Sequence, residues 1–153
     1  MTDSYDAFVL CEARSAPLAR RFLDSFLPRR RSVAVDFPFP ELTDPPKMTF
    51  NDSEDVIREL ESDQHESYAL YWDSEGNGPI SHAMLFFTRD CGMIAGIVTS
   101  EPDYAVTLRS VADVVGGQFG LVTFGNPPPD TCGEFIDLCR KATLPTLREG
   151  IIE

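Results

Sequence analysis

Imidazole is scarce in this chain, with only His65 and His82 among 153 residues. Nucleophilic and general-base chemistry usually needs such a group within hydrogen-bond reach of a Cys or Ser, so the scarcity narrows the catalytic options. Cys11, Cys91, Cys132 and Cys139 contain no C-x-x-C pair, and the spacing signature of structural zinc or dithiol exchange is therefore missing. If Cys132 and Cys139 share a helix, roughly 10 Å of axial rise separates them, too far for a disulfide. Reduced, mostly buried thiols are expected. No stretch approaches the roughly 20 apolar residues that span a bilayer, and Met1 to Asp6 shows no basic leader followed by an apolar run. A cytoplasmic location without membrane contact is the expectation. Cations are also few, 13 Lys and Arg against 25 Asp and Glu, for a net charge of −12. Attraction to nucleic acid phosphates is opposed over most of such a surface.

What is present fits one ordinary domain, 1–153, with 42% hydrophobic and 25% charged residues. A chain of this size buries about 70% of its unfolded surface in one core. The charge is unevenly placed. Twelve of the 25 acidic residues lie between Asp36 and Glu75, opposed there only by Lys47 and Arg58. Arg29-Arg30-Arg31 forms a small basic island, read as a solvated loop after a helix whose C-terminal end favours cations.

Ala7 to Cys11 reads as a strand. Ser15 then caps a helix with an apolar stripe of Leu18, Phe22 and Phe26, stopped by Pro28. A second strand is predicted over Ser32 to Phe37, and the prolines at 38, 40, 45 and 46 predict an irregular surface crossing. Asn51 is placed as the N-cap of a helix ending near Gln64, with Glu54 completing a capping box and Val56, Ile57 and Leu60 as a narrow buried stripe. Tyr68–Trp72, Ala83–Phe87 and Met93–Val98 predict an antiparallel meander, turned at Asn77-Gly78 and at Asp90-Cys91-Gly92. Ser100 with Asp103 starts a third helix that Gly116-Gly117 ends, Phe119–Phe124 is a sixth strand, and Thr131 with Glu134 caps the last helix. Residues 143–153 are a tail that Ile151 and Ile152 dock. The expected fold is α+β, a mainly antiparallel six-stranded sheet with about four helices in the order β-α-β-α-β-β-β-α-β-α.

No residue set reaches a catalytic or metal signature, so neither a catalytic residue, a metal nor a cofactor is assigned. On the predicted hairpin, Cys91 sits at the turn and His82 near the open end, roughly 25 Å apart at the strand rise. His65 between Asp63 and Glu66 lies at a fraying helix end with no second ligand cluster. The glycines at 116 and 117 follow a helix instead of opening one, and the loop from Gly125 to Asp130 carries three prolines with no N–H to offer a phosphate. Asp52, Glu54, Asp55, Glu59, Glu61 and Asp63 lie on a helix whose thin apolar stripe leaves them in water, where paired carboxylates form a field and not a hydrolase site. Asp73 and Glu75 extend that field. Tyr71 and Trp72 alternate on their strand, so one faces the core and the other is free to anchor a partner within an acidic rim.

Tyr68-Ala69-Leu70-Tyr71-Trp72, Phe86-Phe87-Thr88 and Gly92 to Gly96, with the size, acidity and meander, give a layout that resembles small bacterial immunity proteins of polymorphic toxin systems. The resemblance spans most of the chain and has no defining motif. It implies an inhibitor that binds a cognate toxin, one with a basic cleft, and blocks its active site. The alternative is a small enzyme or ligand-binding domain with a pocket at one end of the sheet, using Ser81, His82 or Cys91. A self-associating protein, a homodimer joined through apolar loop residues, is the third option.

Overall fold

The computed structural model describes residues 3–153 and is α+β. Four helices pack on an eight-stranded, wholly antiparallel sheet of order β10-β9-β8-β1-β7-β6-β5-β2, and a two-stranded ribbon, β3-β4, lies apart. The elements are β1 (Tyr5–Leu10), α1 (Ala16–Phe26), β2 (Arg30–Ser32), β3 (Phe37–Phe39), β4 (Met48–Phe50), α2 (Ser53–Ser62) and β5 (Tyr68–Ser74), followed by β6 (Ile80–Phe87), β7 (Met93–Thr99), α3 (Tyr104–Val115), β8 (Phe119–Thr123), α4 (Cys132–Lys141), β9 (Leu147–Arg148) and β10 (Ile151–Ile152). No helix is long and apolar enough to cross a membrane among the described residues.

The expected six strands become ten for two physical reasons. Phe37 and Phe39 bury their rings on either side of exposed Pro38, and that pattern pairs them with Phe50 and Met48 across a ribbon edge where a proline is tolerated. The tail folds back because Glu149 and Gly150 both take positive φ, 52° and 83°, the backbone of a two-residue hairpin turn. Its first strand extends the sheet by pairing Leu147 with Gly120. Ile152 packs on the core as expected, whereas Ile151 stays exposed. β2 begins earlier than predicted, pairing Arg30 with Ser74 and Ser32 with Trp72, which leaves Val33 and Val35 in water.

Helix ends follow local chemistry. Ser15, Asp103 and Thr131 accept N–H groups in the first turns of α1, α3 and α4. Asp52 caps α2 in place of the predicted Asn51, its carboxylate taking the Glu54 N–H at 2.9 Å and also opposing the helix dipole. Gly116 ends α3 at φ 67°, a conformation that costs glycine little.

The sheet has a front and a rear. Alternation sends Ala7, Val9, Leu70, Trp72, Leu85, Phe87, Ala95 and Ile97 forward into the main core under α1, α2 and α3. It sends Phe8, Met84, Ile94 and Leu121 backward into a smaller cluster closed by Phe135 and Cys139 of α4. Gly96 allows this rear layer to form, since a Cβ there would sit 2.4 Å from the Phe8 ring. α4 lies over β8 and β9, so the rear of β5, β6 and β2 has no helix upon it.

Candidate functional site

The predicted binding residues do not form one surface. α2 holds six of them on the front, and β5 divides the others between the two faces of the sheet. Trp72 is 3% exposed; it points forward beneath α1 and α2, which rules it out as an exposed anchor. Tyr71 is 45% exposed and points to the rear with Asp73. Glu75 is exposed past the end of β5, its N–H donating to the Arg29 carbonyl at 2.8 Å.

On the front, α1 and α2 leave an open groove of about 700 Å³ above Trp72. Leu23, Ile57 and Trp72 give it an apolar lining; Asp52, Glu54 and Glu61 face three guanidinium groups, Arg20, Arg30 and Arg58. Several of these charges are already paired. Arg58 reaches Asp55 at 3.0 Å and Glu54 at 3.8 Å. Arg30 lies 2.9 Å from Asp24, which Arg20 also approaches at 3.8 Å. Glu61 accepts the Ala16 N–H at 2.7 Å, placing a carboxylate on the positive end of the α1 dipole. Inside the groove, acid and base are therefore balanced. The acidic excess is on the outer side of α2, where Asp55 and Asp63 are exposed and Glu59 is partly so.

The basic island is more structured than a solvated loop. Arg30 turns into the groove, and Arg31 on the opposite side of β2 meets Asp73 at 3.4 Å. Asp73 also receives His82 Nδ1 at 2.8 Å. On β6, Ser81 falls at the irregularity between Ile80 and His82, and Cys91 is beyond the far end of the strand. Ser81, His82 and Cys91 are thus not brought to one pocket. Cys91, at φ 73°, instead has its thiol 3.8 Å from Nδ1 of His65, the histidine of the acidic turn after α2. No three His, Cys, Asp or Glu side chains group to hold a metal among the described residues.

Sequence reasoning missed Arg14, which holds α2 in place. It is 5% exposed and donates to the carbonyls of Leu60, Asp63 and Glu66 at 3.1–3.2 Å, to Gly92 at 3.1 Å and to Thr88. Its guanidinium also stacks 5.4 Å from the Phe87 ring centre. One cation thus ties the C-terminal end of α2, where helix carbonyls lack partners, to the β6–β7 hairpin. Position 14 gives no sign of this in the sequence, where an arginine before a cap residue reads as solvent-facing.

Two further polar links fix the surroundings. Asp90 accepts the Cys132 N–H at the start of α4 at 2.9 Å. Desolvation opposes its ionisation, but hydrogen bonds from Cys132, Thr88 and Gly133 outweigh that and hold the carboxyl below its ordinary range. Glu41, by contrast, is raised by burial, only partly offset by the Ala69 N–H it accepts. Burial, with the charges of Glu41 and Asp36 adding to it, pushes the neighbouring Tyr68 phenol up to about 12. Tyr68 donates instead to the Pro38 carbonyl at 2.7 Å. Burial likewise pushes the thiols of Cys11 and Cys139 up to about 12, and all four cysteines are free. In comparisons with known proteins, the chain matches no family model, no curated protein and no solved structure.

Proposed function

We propose that this protein is an inhibitor of the immunity type, holding a cationic partner toxin against the front of the molecule and blocking its active site. The observation that carries the reading is the join of two features: carboxylates on the outer side of α2, in water, border a groove with an apolar floor of Leu23, Ile57 and Trp72. Charge at a rim steers a partner in, and a desolvated apolar centre retains it. A toxin that acts on nucleic acid or nucleotides needs a basic cleft, and an acidic helix can fill one in place of phosphate. Because groove charges are balanced, Asp55, Glu59 and Asp63 supply the steering, and Asp52, Glu54 and Glu61 line the seat. Tyr71 and Asp73, on the rear of the sheet, fall outside the rim, and Glu75 lies past the end of β5 without adjoining it.

The test begins with capture of the partner from the native organism and proof that it is toxic when produced alone. The triple variant Asp55→Lys, Glu59→Lys, Asp63→Lys should then associate about tenfold more slowly at low salt and with a flatter salt dependence. An association rate and salt slope equal to those of the unaltered protein would assign binding to another face.

A further inference from the structure

We propose that a cavity at the open edge of β5 binds a methylated ammonium head group. β2 pairs with β5 only as far as Ser32 and Trp72. The chain then leaves the sheet, with Val35 88% exposed, and returns to bury Phe37 and Phe39. Three hydrogen bonds fix this crossing to β5. The Val33 N–H donates to the Tyr71 carbonyl at 3.0 Å, the Tyr68 hydroxyl to the Pro38 carbonyl at 2.7 Å, and the Ala69 N–H to Glu41 at 3.2 Å. Between the crossing and the strand lies an open cavity of about 140 Å³, and its frame is preformed.

The lining selects the sign of the ligand. Phe37, Tyr68 and Tyr71 bring three aromatic side chains to the cavity, and Asp36 and Glu41 bring two carboxylates; among the described residues that line it there is no lysine, arginine or histidine. Neither carboxylate forms an ion pair among the described residues. Burial raises the Tyr71 phenol, and the charge of Glu41 adds to the rise, so carboxylate and ring share one small space. The Tyr71 ring is steadied by Phe86, edge-on with 5.7 Å between centres, and Phe86 by Phe8 at the same distance. A cation seated there offsets the cost of keeping half-buried Glu41 ionised, and an anion is repelled.

Size and hydrogen bonding narrow the cation further. A water occupies roughly 30 Å³, so the cavity takes roughly five such groups, the size of a trimethylammonium with its first methylene. A bare ammonium carries three N–H donors that need acceptors, whereas the Pro38 carbonyl already accepts from Tyr68 and one Glu41 oxygen from Ala69. Methylation removes those donors and spreads the charge over apolar surface, which suits ring faces in a negative field. Such a head is the end of a methylated lysine side chain or of a free choline-like molecule.

The chain alone, titrated with choline chloride against sodium chloride of equal ionic strength, should show saturable amide shifts confined to 33–41 and 68–71, with a Kd of about 1 mM. The uncharged tert-butyl analogue of choline should bind about tenfold more weakly. Tyr71→Leu, at an exposed position, and Glu41→Gln, which keeps an oxygen for the Ala69 N–H, should each weaken choline by about fivefold or more. A glycine-flanked trimethyl-lysine peptide, titrated in parallel, identifies the source: tighter binding than choline assigns a protein side chain, and weaker binding a free small molecule. No saturable shift with either probe, equal affinity for the uncharged analogue, or unchanged affinity in both variants overturns the assignment. No toxin is present in these titrations, so failure of the inhibitor reading leaves their outcome intact.

Discussion

Replacing Arg14 with Met keeps an unbranched side chain of similar reach and deletes all five carbonyl contacts. The carbonyls of Asp63 and Glu66 belong to an open turn and can turn to water. Those of Leu60 and Thr88 accept buried bonds and are left without partners, at about 1–3 kcal/mol each. Relief of the desolvation that Arg14 itself suffers returns part of this. The net loss is about 3 kcal/mol, a large fraction of the roughly 5–15 kcal/mol typical of a domain. Arg14→Lys keeps the charge but has three donors and no planar fork, so it should cost about as much. In urea, with a slope near 2 kcal/mol/M, the midpoint should fall by about 1.5 M at constant slope. Hydrogen exchange should show α2 losing protection before β1 and β7, because Arg14 fastens the helix to the hairpin and not the sheet to itself. A midpoint shift below about 0.3 M for both variants, or equal loss of protection across sheet and α2, would refute the assignment of Arg14 as the tie.

Adjacent residues on β5 should behave oppositely. Trp72→Ala empties the floor beneath α1 and α2 and should cost about 3–5 kcal/mol, whereas Tyr71→Ser gives up mainly its edge contact with Phe86, about 1 kcal/mol; the reverse ranking in chemical denaturation would invert the register. Asp90 should make the seating of α4 sensitive to acid. Its folded pKa is depressed, so its contribution is present above the unfolded value near 3.9 and is lost as pH falls through the folded one. Asp90 is exposed and screened by solvent, so Asp90→Asn should be only a few tenths of a kcal/mol, roughly 0.5, less stable than the unaltered protein at pH 7, with the gap closing toward pH 2; a gap that does not change with pH would assign the effect to shape instead of charge.

The sequence made the long elements legible because each carries its own periodicity. The stripe of Leu18, Phe22 and Phe26, the alternation through Tyr68 to Trp72 and the glycine pair after α3 all mark elements the fold contains. The short strands failed for lack of local signal. Proline at 38 argues against a strand, yet the rings on either side of it are what the ribbon buries. Glu149-Gly150 is a weak version of the Asn-Gly or Asp-Gly hairpin turn, and its two-residue strands exist because β8 offers an edge to pair with. Val33 and Val35 alternate like strand residues, but the partner, β5, sets the ladder three residues earlier.

The acidic character of α2 was equally legible, since a stripe as thin as Val56, Ile57 and Leu60 leaves most of the helix surface to its carboxylates. What that surface adjoins depended on register. One residue's slip in β5 would exchange Trp72 and Tyr71, putting the indole in water and the phenol under the groove. The pairing of Trp72 with Ala83 and of Tyr71 with Met84 settles the matter, and it places the buried indole under the acidic helix and the exposed Tyr71 ring on opposite sides of a single strand. Each face can therefore be altered while the other stays intact: a lysine at 71 leaves α2 untouched, and lysines on α2 leave the aromatic chain from Phe8 to Tyr71 in place. A partner that lost affinity to both sets of changes would have to touch both sides of the sheet, reaching around the β2 edge, where Val33 and Val35 project into water.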